Sequence, residues 1–511
     1  MPKSDEVHIT ARHTIQCAHE ASLSPLGSHF RLGPLDNLVW PFVPIEGVYV
    51  YRKPATTPAS EFLPAGSLRR AASHLLDYYP HLTGRLEWTT DIKAWGVGNL
   101  GTGAQFLEAQ CPNNLDDLIS PSRSSRRLLL TDLPGSGSAV TPPFDKSTDG
   151  ITANPILAIQ HNRFACGGVV LGIRVHHMVC DANGYFQLVR NLADLYRQLR
   201  SPTRQNHGGD FRPTLTDIPE IYSYLRTTEE LSPEEQQAAL QFQPSVLRLI
   251  DPAEEEEPAP DPVDSPSAPV VGRVIRFSGE RLAEIKASAT NPDGSSWVST
   301  FEALSAFLFQ RVYQAKVELA RSQGIPTSEA AKAFTRGFWG SIDVRAPDRL
   351  HLPPNYFPNA IYPAYDYFSH HLLAEEPLWK VTGAIHDLFR SVGPETMRNT
   401  TRWIAVQPDR SRIRVDYKFG GGSFTVSQFS KHGMYKGVHF EFDDTGNPVN
   451  ASLVSRPFTE VSLVDGLGIM LSTEEELETL ANAKPALDVN LTVSEPVWEI
   501  LDRDPEFCQA E

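Results

Sequence analysis

The stretch FACGGVVLGIRVHHMVCDANGYFQLVRNLADLY, Phe164 to Tyr196, decides how the rest of the chain is read. It opens as a strand of the buried type, and a period of two puts Val169, Leu171, Ile173, Val175 and His177 on one face, with Arg174 and His176 on the other. Beyond Asp181 the period changes: Phe186, Val189, Leu192 and Leu195 recur at helical spacing. The chain therefore passes from strand to helix through residues 177–184. A titratable pair, His177 and Asp181, stands at that junction.

Outward from this segment, strand and helix patterns alternate in both directions, so the class is mixed α/β. Phe62 to Tyr79 carries Leu68, Ala71, Ala72, Leu75, Leu76 and Tyr79 at i, i+3, i+4 spacing, which predicts an amphipathic helix ended by Pro80. Val271 to Phe277 reads as a strand and Glu280 to Ala289 as a helix. Ser299 or Thr300 can cap a further helix whose apolar face includes Phe301, Leu304, Phe307 and Leu308. Val438 to Phe442 alternates before the turn-forming residues 443–447, which predicts a hairpin.

The strongest shift in composition is DPAEEEEPAPDPVDSPSAP, Asp251 to Pro269, with seven acidic residues, six prolines and no Lys or Arg. Such a segment cannot bury a core and is expected to be an extended, solvated connector. It sets an N-terminal domain over residues 1–220, a crossover over 221–269 and a C-terminal domain over 270–511.

Composition removes several function classes. The 511 residues carry a formal charge of −16, and clustered Lys and Arg, which a nucleic-acid partner or an anionic membrane surface would require, are missing. The 41 prolines predict long, stiffened loops. The five cysteines are scattered with no CxxC pair, so neither a disulfide framework nor a structural zinc site is expected. No run of 18 apolar residues and no apolar leader segment is present, and the expectation is a cytoplasmic protein. A serine hydrolase lacks its GxSxG elbow and a nucleotide hydrolase its GxxxxGK[ST] loop.

An imidazole at an element junction suits general-base work, because its ordinary pKa near 6.5 lets it take a proton from a hydroxyl or amine at neutral pH. Asp181, beyond the turn, can fix the loop from the start of the helix, by binding backbone N–H groups or an Arg from elsewhere. A His-x-x-x-Asp spacing alone is weak, since about one match is expected by chance. His439 and Asp443 in VHFEFDD have the same spacing, in a predicted hairpin strand and its turn, and spacing does not choose between the pairs.

Context does. CGGVVLGIRVHHMVCDANG resembles the central His-x-x-x-Asp-Gly signature of the BAHD acyltransferases, CoA-dependent enzymes of the chloramphenicol-acetyltransferase-like fold that include trichothecene-type O-acetyltransferases. Ala182 stands where that family has Gly. Leu23-Ser24-Pro25-Leu26 is similar to the family's early LSPLD element, LLDYYPHLTGRL (Leu75 to Leu86) to its YPLAGR helix end, and STFEALSAFLFQRV (Ser299 to Val312) to the helix opening its second domain. IDVRAPDRLHLPPNYFPNA (Ile342 to Ala360) resembles the D-x-R segment followed by YFGN, with Pro358 in place of Gly. The nearest counterpart of the family's DFGWG is Lys418-Phe419-Gly420-Gly421-Gly422, with Lys for Asp and Gly for Trp.

The resemblance implies two similar α/β domains with mixed sheets and a substrate channel along their interface. It implies acyl-CoA, acetyl-CoA foremost, as co-substrate with no permanent cofactor or metal, and a small-molecule alcohol, or an amine, as acceptor for a monomeric enzyme. His177 would be the general base and Asp181 the residue that holds the loop, through an Arg of the other half for which Arg345 is the candidate. Trp403 would assist the oxyanion, while Ser299, Thr300, Phe419, Gly420 and Gly422 would contact CoA. Two further readings keep the fold. A condensation domain with a carrier-bound acyl donor shares the HHxxxD pattern, and a catalytically silent binding protein would retain only the channel.

Overall fold

The apolar run after Gly168 forms the strand Val169–His176, buried along its whole length. Val169, Leu171, Ile173 and Val175 join one apolar cluster with Leu68, Leu75, Leu188 and Leu192 from the helices Ala65–Tyr78 and Ala182–Arg200. The opposite face carries Val170 into a second cluster with Leu130, Val140 and Phe458. Gly172 is required on that face, because a Cβ there would lie 2.2 Å from the Val140 carbonyl oxygen. The strand is thus covered on both sides, which is why its sequence is continuously apolar instead of alternating with polar residues.

The computed structural model of the protein describes residues 7–90, 93–121, 126–201, 211–251, 268–294, 297–478 and 485–508. Two six-stranded mixed sheets organise it. The first runs His8–Ile15, Ala104–Cys111, Leu157–Phe164, Val169–His176, Pro44–Tyr51 and Leu453–Ser455; only the pairing of Ala104–Cys111 with Leu157–Phe164 is parallel. The second runs Val270–Phe277, Leu487–Ser494, Leu467–Ser472, Phe424–Gln428, Gly337–Asp343 and Ile361–Tyr367. Its apolar face packs on the long helix Thr300–Ser322, where Leu304, Leu308 and Val312 meet Phe338, Phe424 and Leu491. Fold class and architecture agree with the expectation.

The halves are not independent. Leu453–Ser455 comes from the second half yet completes the first sheet beside Pro44–Tyr51. Phe429, Met434, Tyr435, Val438 and Phe440 also sink into the first core. Within the expected crossover, Leu247–Leu249 pairs with Ile413–Val415, so this part of 221–269 is folded onto the second half. Of the acidic connector, residues 252–267 lie outside the described residues.

Two elements differ from their prediction. The helix expected over 62–79 spans Ala65–Tyr78, because Pro64 occupies its N-cap in an extended conformation. The hairpin expected after Val438 is reduced to one bridge between Phe442 and Pro448. The alternation there reflects burial of Val438 and Phe440 in the first core, and Asp443 closes the turn by accepting the Thr445 and Asn447 N–H groups, both at 2.9 Å.

The docking of these second-half segments on the first core can be loosened at one atom. The Val454 N–H donates to the Tyr435 hydroxyl at 3.0 Å in a buried setting. Tyr435→Phe leaves that N–H without an acceptor and is expected to lower unfolding stability by about 1–3 kcal/mol in urea titration.

Candidate active site

The strand stops at His176, and His177–Val179 forms a single 3₁₀ turn, so His177 leaves the ladder instead of continuing its face. Asp181 then N-caps the helix Ala182–Arg200, its Oδ1 accepting the N–H groups of Asn183 at 3.0 Å and Gly184 at 3.2 Å. This follows the usual logic of a carboxylate at a helix start, where unpaired donors and the helix dipole favour negative charge. Gly184 has a packing reason: a Cβ would lie 2.2 Å from the carbonyl oxygen of Phe357 in the second half.

Asp181 is also the anchor between halves. Arg345 binds it bidentately, Nη1 to Oδ2 and Nη2 to Oδ1, both at 2.9 Å, and the Ala360 N–H adds a third donor at 2.9 Å. Arg345 donates further to the Pro358 carbonyl at 2.9 Å. Burial alone would raise the Asp181 carboxyl, but the guanidinium and the backbone donors outweigh it and hold it below the ordinary carboxylate range. These partners leave His177 out, so Asp181 positions the loop and does not orient the imidazole directly.

The backbone of His177 is held from both sides. Its N–H donates to the Val43 carbonyl at 3.2 Å, and its carbonyl accepts from Asn359 Nδ2 at 2.9 Å. Asn359 is itself fixed by buried Asp36, which accepts its N–H and its amide, both at 2.9 Å. Nδ1 of His177 is sealed from solvent and free of side-chain partners, leaving Nε2 as the nitrogen on the open side. Burial lowers the imidazole below its usual pKa, an effect that its own carbonyl and Asp181 offset in part. The ring is therefore neutral at pH 7, with a nitrogen free to accept a proton.

His177 faces a cavity between the halves. Asp181 and Ala182 line it from the first half; Phe301, Ser341, Asp343, Ile361, Ser427, Phe429, Lys431 and Arg456 line it from the second. Arg456 stands out, because its buried Nε has no acceptor among the described residues. Sequence reasoning missed Arg456 and the Asp36–Asn359 support. Each comes from a separate loop, and no local pattern ties them to residues 177–181.

The other expected site residues lie apart from the cavity wall. Ser299 forms a capping box with Glu302, its Oγ accepting the Glu302 N–H at 3.1 Å while Glu302 accepts the Ser299 N–H at 2.7 Å; Thr300 begins that helix. Trp403 packs in an apolar cluster with Leu35, Ile342 and Tyr356. Phe419 lies against Trp40 and Trp339. Gly420 and Gly422 have positive φ, 74° and 95°, in a turn whose carbonyls accept from Thr335. A different glycine turn, Gly433 to Gly437, meets the helix after His177: Arg190 donates to the His432 carbonyl at 2.9 Å, and Arg197 to that of Gly437 at 3.3 Å. His439, lowered to about 4 by burial and then by Arg197, lies against Phe442, outside the cavity.

A model described as the Transferase family matches residues 5–467, which is most of the chain. The chain belongs to this family, the BAHD acyltransferases. The acyltransferase is 23% identical over 399 residues to the shikimate O-hydroxycinnamoyltransferase of Nicotiana tabacum, covering 77% of this chain and 80% of that protein. A shorter match, 37% identical over 138 residues, 26% of this chain and 28% of that protein, is to the taxadien-5-alpha-ol O-acetyltransferase of Taxus chinensis. The crystal structure of F. sporotrichioides TRI101 complexed with coenzyme A and T-2 has the same fold, with TM-score 0.63 and 18% identity over 94% of this chain and 98% of that one. Among the described residues no helix is long and apolar enough to cross a membrane.

Arg345→Gln leaves a buried carboxylate without its cation, and the expected cost is about 3–5 kcal/mol. Because the folded pKa of Asp181 is depressed, its contribution is present above the ordinary carboxylate pKa and lost as pH falls through that range. Urea titrations from pH 7 to pH 3 are expected to give a shallower decline for Arg345→Gln than for the wild type.

Proposed function

We propose that the acyltransferase moves an acyl group, acetyl foremost, from acyl-CoA to a hydroxyl of a small specialised metabolite. The observation that carries the reading is a neutral His177 in the wall of a cavity shared by both halves, with its Nδ1 sealed from solvent. The match to an O-acetyltransferase and an O-hydroxycinnamoyltransferase supports transfer to oxygen, and the coenzyme A bound to TRI101 supports a CoA thioester as donor.

His177 Nε2 takes the proton of the acceptor hydroxyl as its oxygen attacks the thioester carbonyl. The C–O bond forms, and the carbonyl becomes a tetrahedral oxyanion. Donors aimed at such an oxyanion are each worth on the order of 10²–10³ in rate. Arg456 and Lys431 are cations of the cavity wall that could face it, whereas the indole of Trp403 packs in its own cluster, so a role for Trp403 rests on the family resemblance. The intermediate collapses, the C–S bond breaks, and His177 returns its proton to the departing thiolate. No acyl-enzyme is needed. Cys180 is unsuited to form one, since burial and then Asp181 push its thiol well above the ordinary range.

His177→Ala is expected to keep the fold and lower CoA-thiol release by about 10²–10⁴, while His439→Ala leaves it unchanged. With the imidazole below its ordinary pKa, kcat/KM is expected to hold from neutral pH upward and fall only below pH 6.5. A thiol-release assay that finds His177→Ala near wild-type activity would remove the general base from the mechanism.

A further inference from the structure

Two large aromatic side chains beside the site are left open: Trp40 is 46% exposed and Phe42 39% exposed. They sit on the loop that is clamped to the catalytic turn, where the Pro41 carbonyl meets His176 Nε2 at 2.8 Å and the Val43 carbonyl accepts the His177 N–H. Isolated exposed aromatics need no explanation, but these are contiguous with others. Trp40 stacks on Phe42 at 5.6 Å and meets Phe419 edge-on at 5.1 Å. Phe419 lies 5.7 Å from Trp339, and Trp339 stacks on Tyr365 at 5.6 Å with only 6° between the ring planes. The rim therefore spans both halves of the molecule.

The rim is also continuous with the reaction cavity. Trp339, Ser341 and Asp343 alternate along one face of the strand Gly337–Asp343, and Ser341 and Asp343 line the cavity of His177. In the neighbouring strand Thr425 stands beside Trp339, while Ser427 lines the cavity. Four residues of extended chain put the aromatic rim about 13 Å from Asp343.

We propose that the acceptor carries a planar aromatic portion that binds against Trp40, Phe42 and Phe419, with its hydroxyl reaching His177 along this strand face. The proposal rests on the reading of His177 as the base. The adenine of CoA is the competing flat ligand, and the KM of acetyl-CoA in the rim variants tells the two apart. The rim presents open aromatic faces, which suit a flat ring system.

The test compares 2-(biphenyl-4-yl)ethanol with 1-decanol, alcohols of similar length, as acceptors for acetyl-CoA and as ligands in calorimetry. The biphenyl alcohol is expected to bind at least about tenfold more tightly. Trp40→Ala and Phe42→Ala are expected to weaken it about five- to thirty-fold, with decanol and the KM of acetyl-CoA unchanged. Equal binding of the two alcohols, absence of binding by either, or variants that instead raise the KM of acetyl-CoA would overturn the assignment. Calorimetry with His177→Ala separates the two readings: retained aromatic preference with lost turnover supports both. Turnover that survives in His177→Ala defeats the base, and the rim is then judged by binding alone.

Discussion

The bidentate pair between Asp181 and Arg345 is the constraint on which the site depends. It joins residues 164 positions apart in sequence, and both partners are nearly sealed from water. A buried ion pair of this kind is a modest source of net stability, because desolvation offsets most of the attraction. Its value is geometric. A carboxylate that caps one helix and accepts a guanidinium fork admits only one arrangement of the loop between them. His177 lies inside that loop, so the second half of the molecule fixes where His177 stands.

Around this pair, positioning and chemistry are divided among different residues. Asp181, Arg345, Asn359 and Asp36 make almost all of their contacts with backbone or with one another. That leaves the imidazole ring without a side-chain partner, neutral and open on one edge. A carboxylate hydrogen-bonded to Nδ1 would raise the basicity of the ring but would also stabilise the imidazolium. The observed arrangement favours the neutral ring, which suits the proposed role of a base that is unprotonated before an acceptor arrives.

The legible part of the sequence was the part in which local pattern and tertiary role coincide. The change of period at Asp181 marks a real strand-to-helix junction, and Ser299 caps its helix as its position suggests. The Asp181–Arg345 bond was reachable only through family resemblance, since nothing in either segment specifies the other. At Val438 to Phe442 alternation misled, because a chain can bury every second residue in a neighbouring core without pairing into a ladder. Lys418 to Gly422 has a local reason for its glycines. Its glycines serve a tight turn held by Thr335, while Met434 and Tyr435 of the later glycine turn enter the first core. Arg456 left no trace in pattern at all, since a cavity wall assembled from separate loops has no period.

The short strand Leu453–Ser455 has a consequence for how the molecule is made. The first sheet begins at His8 but is not complete until residue 455 has left the ribosome. Because domains otherwise tend to fold as units during synthesis, the N-terminal half must wait, with the Pro44–Tyr51 edge unpaired, for most of the remaining chain. Chain ends placed between the halves would therefore produce fragments that recognise each other as partners but do not mature alone.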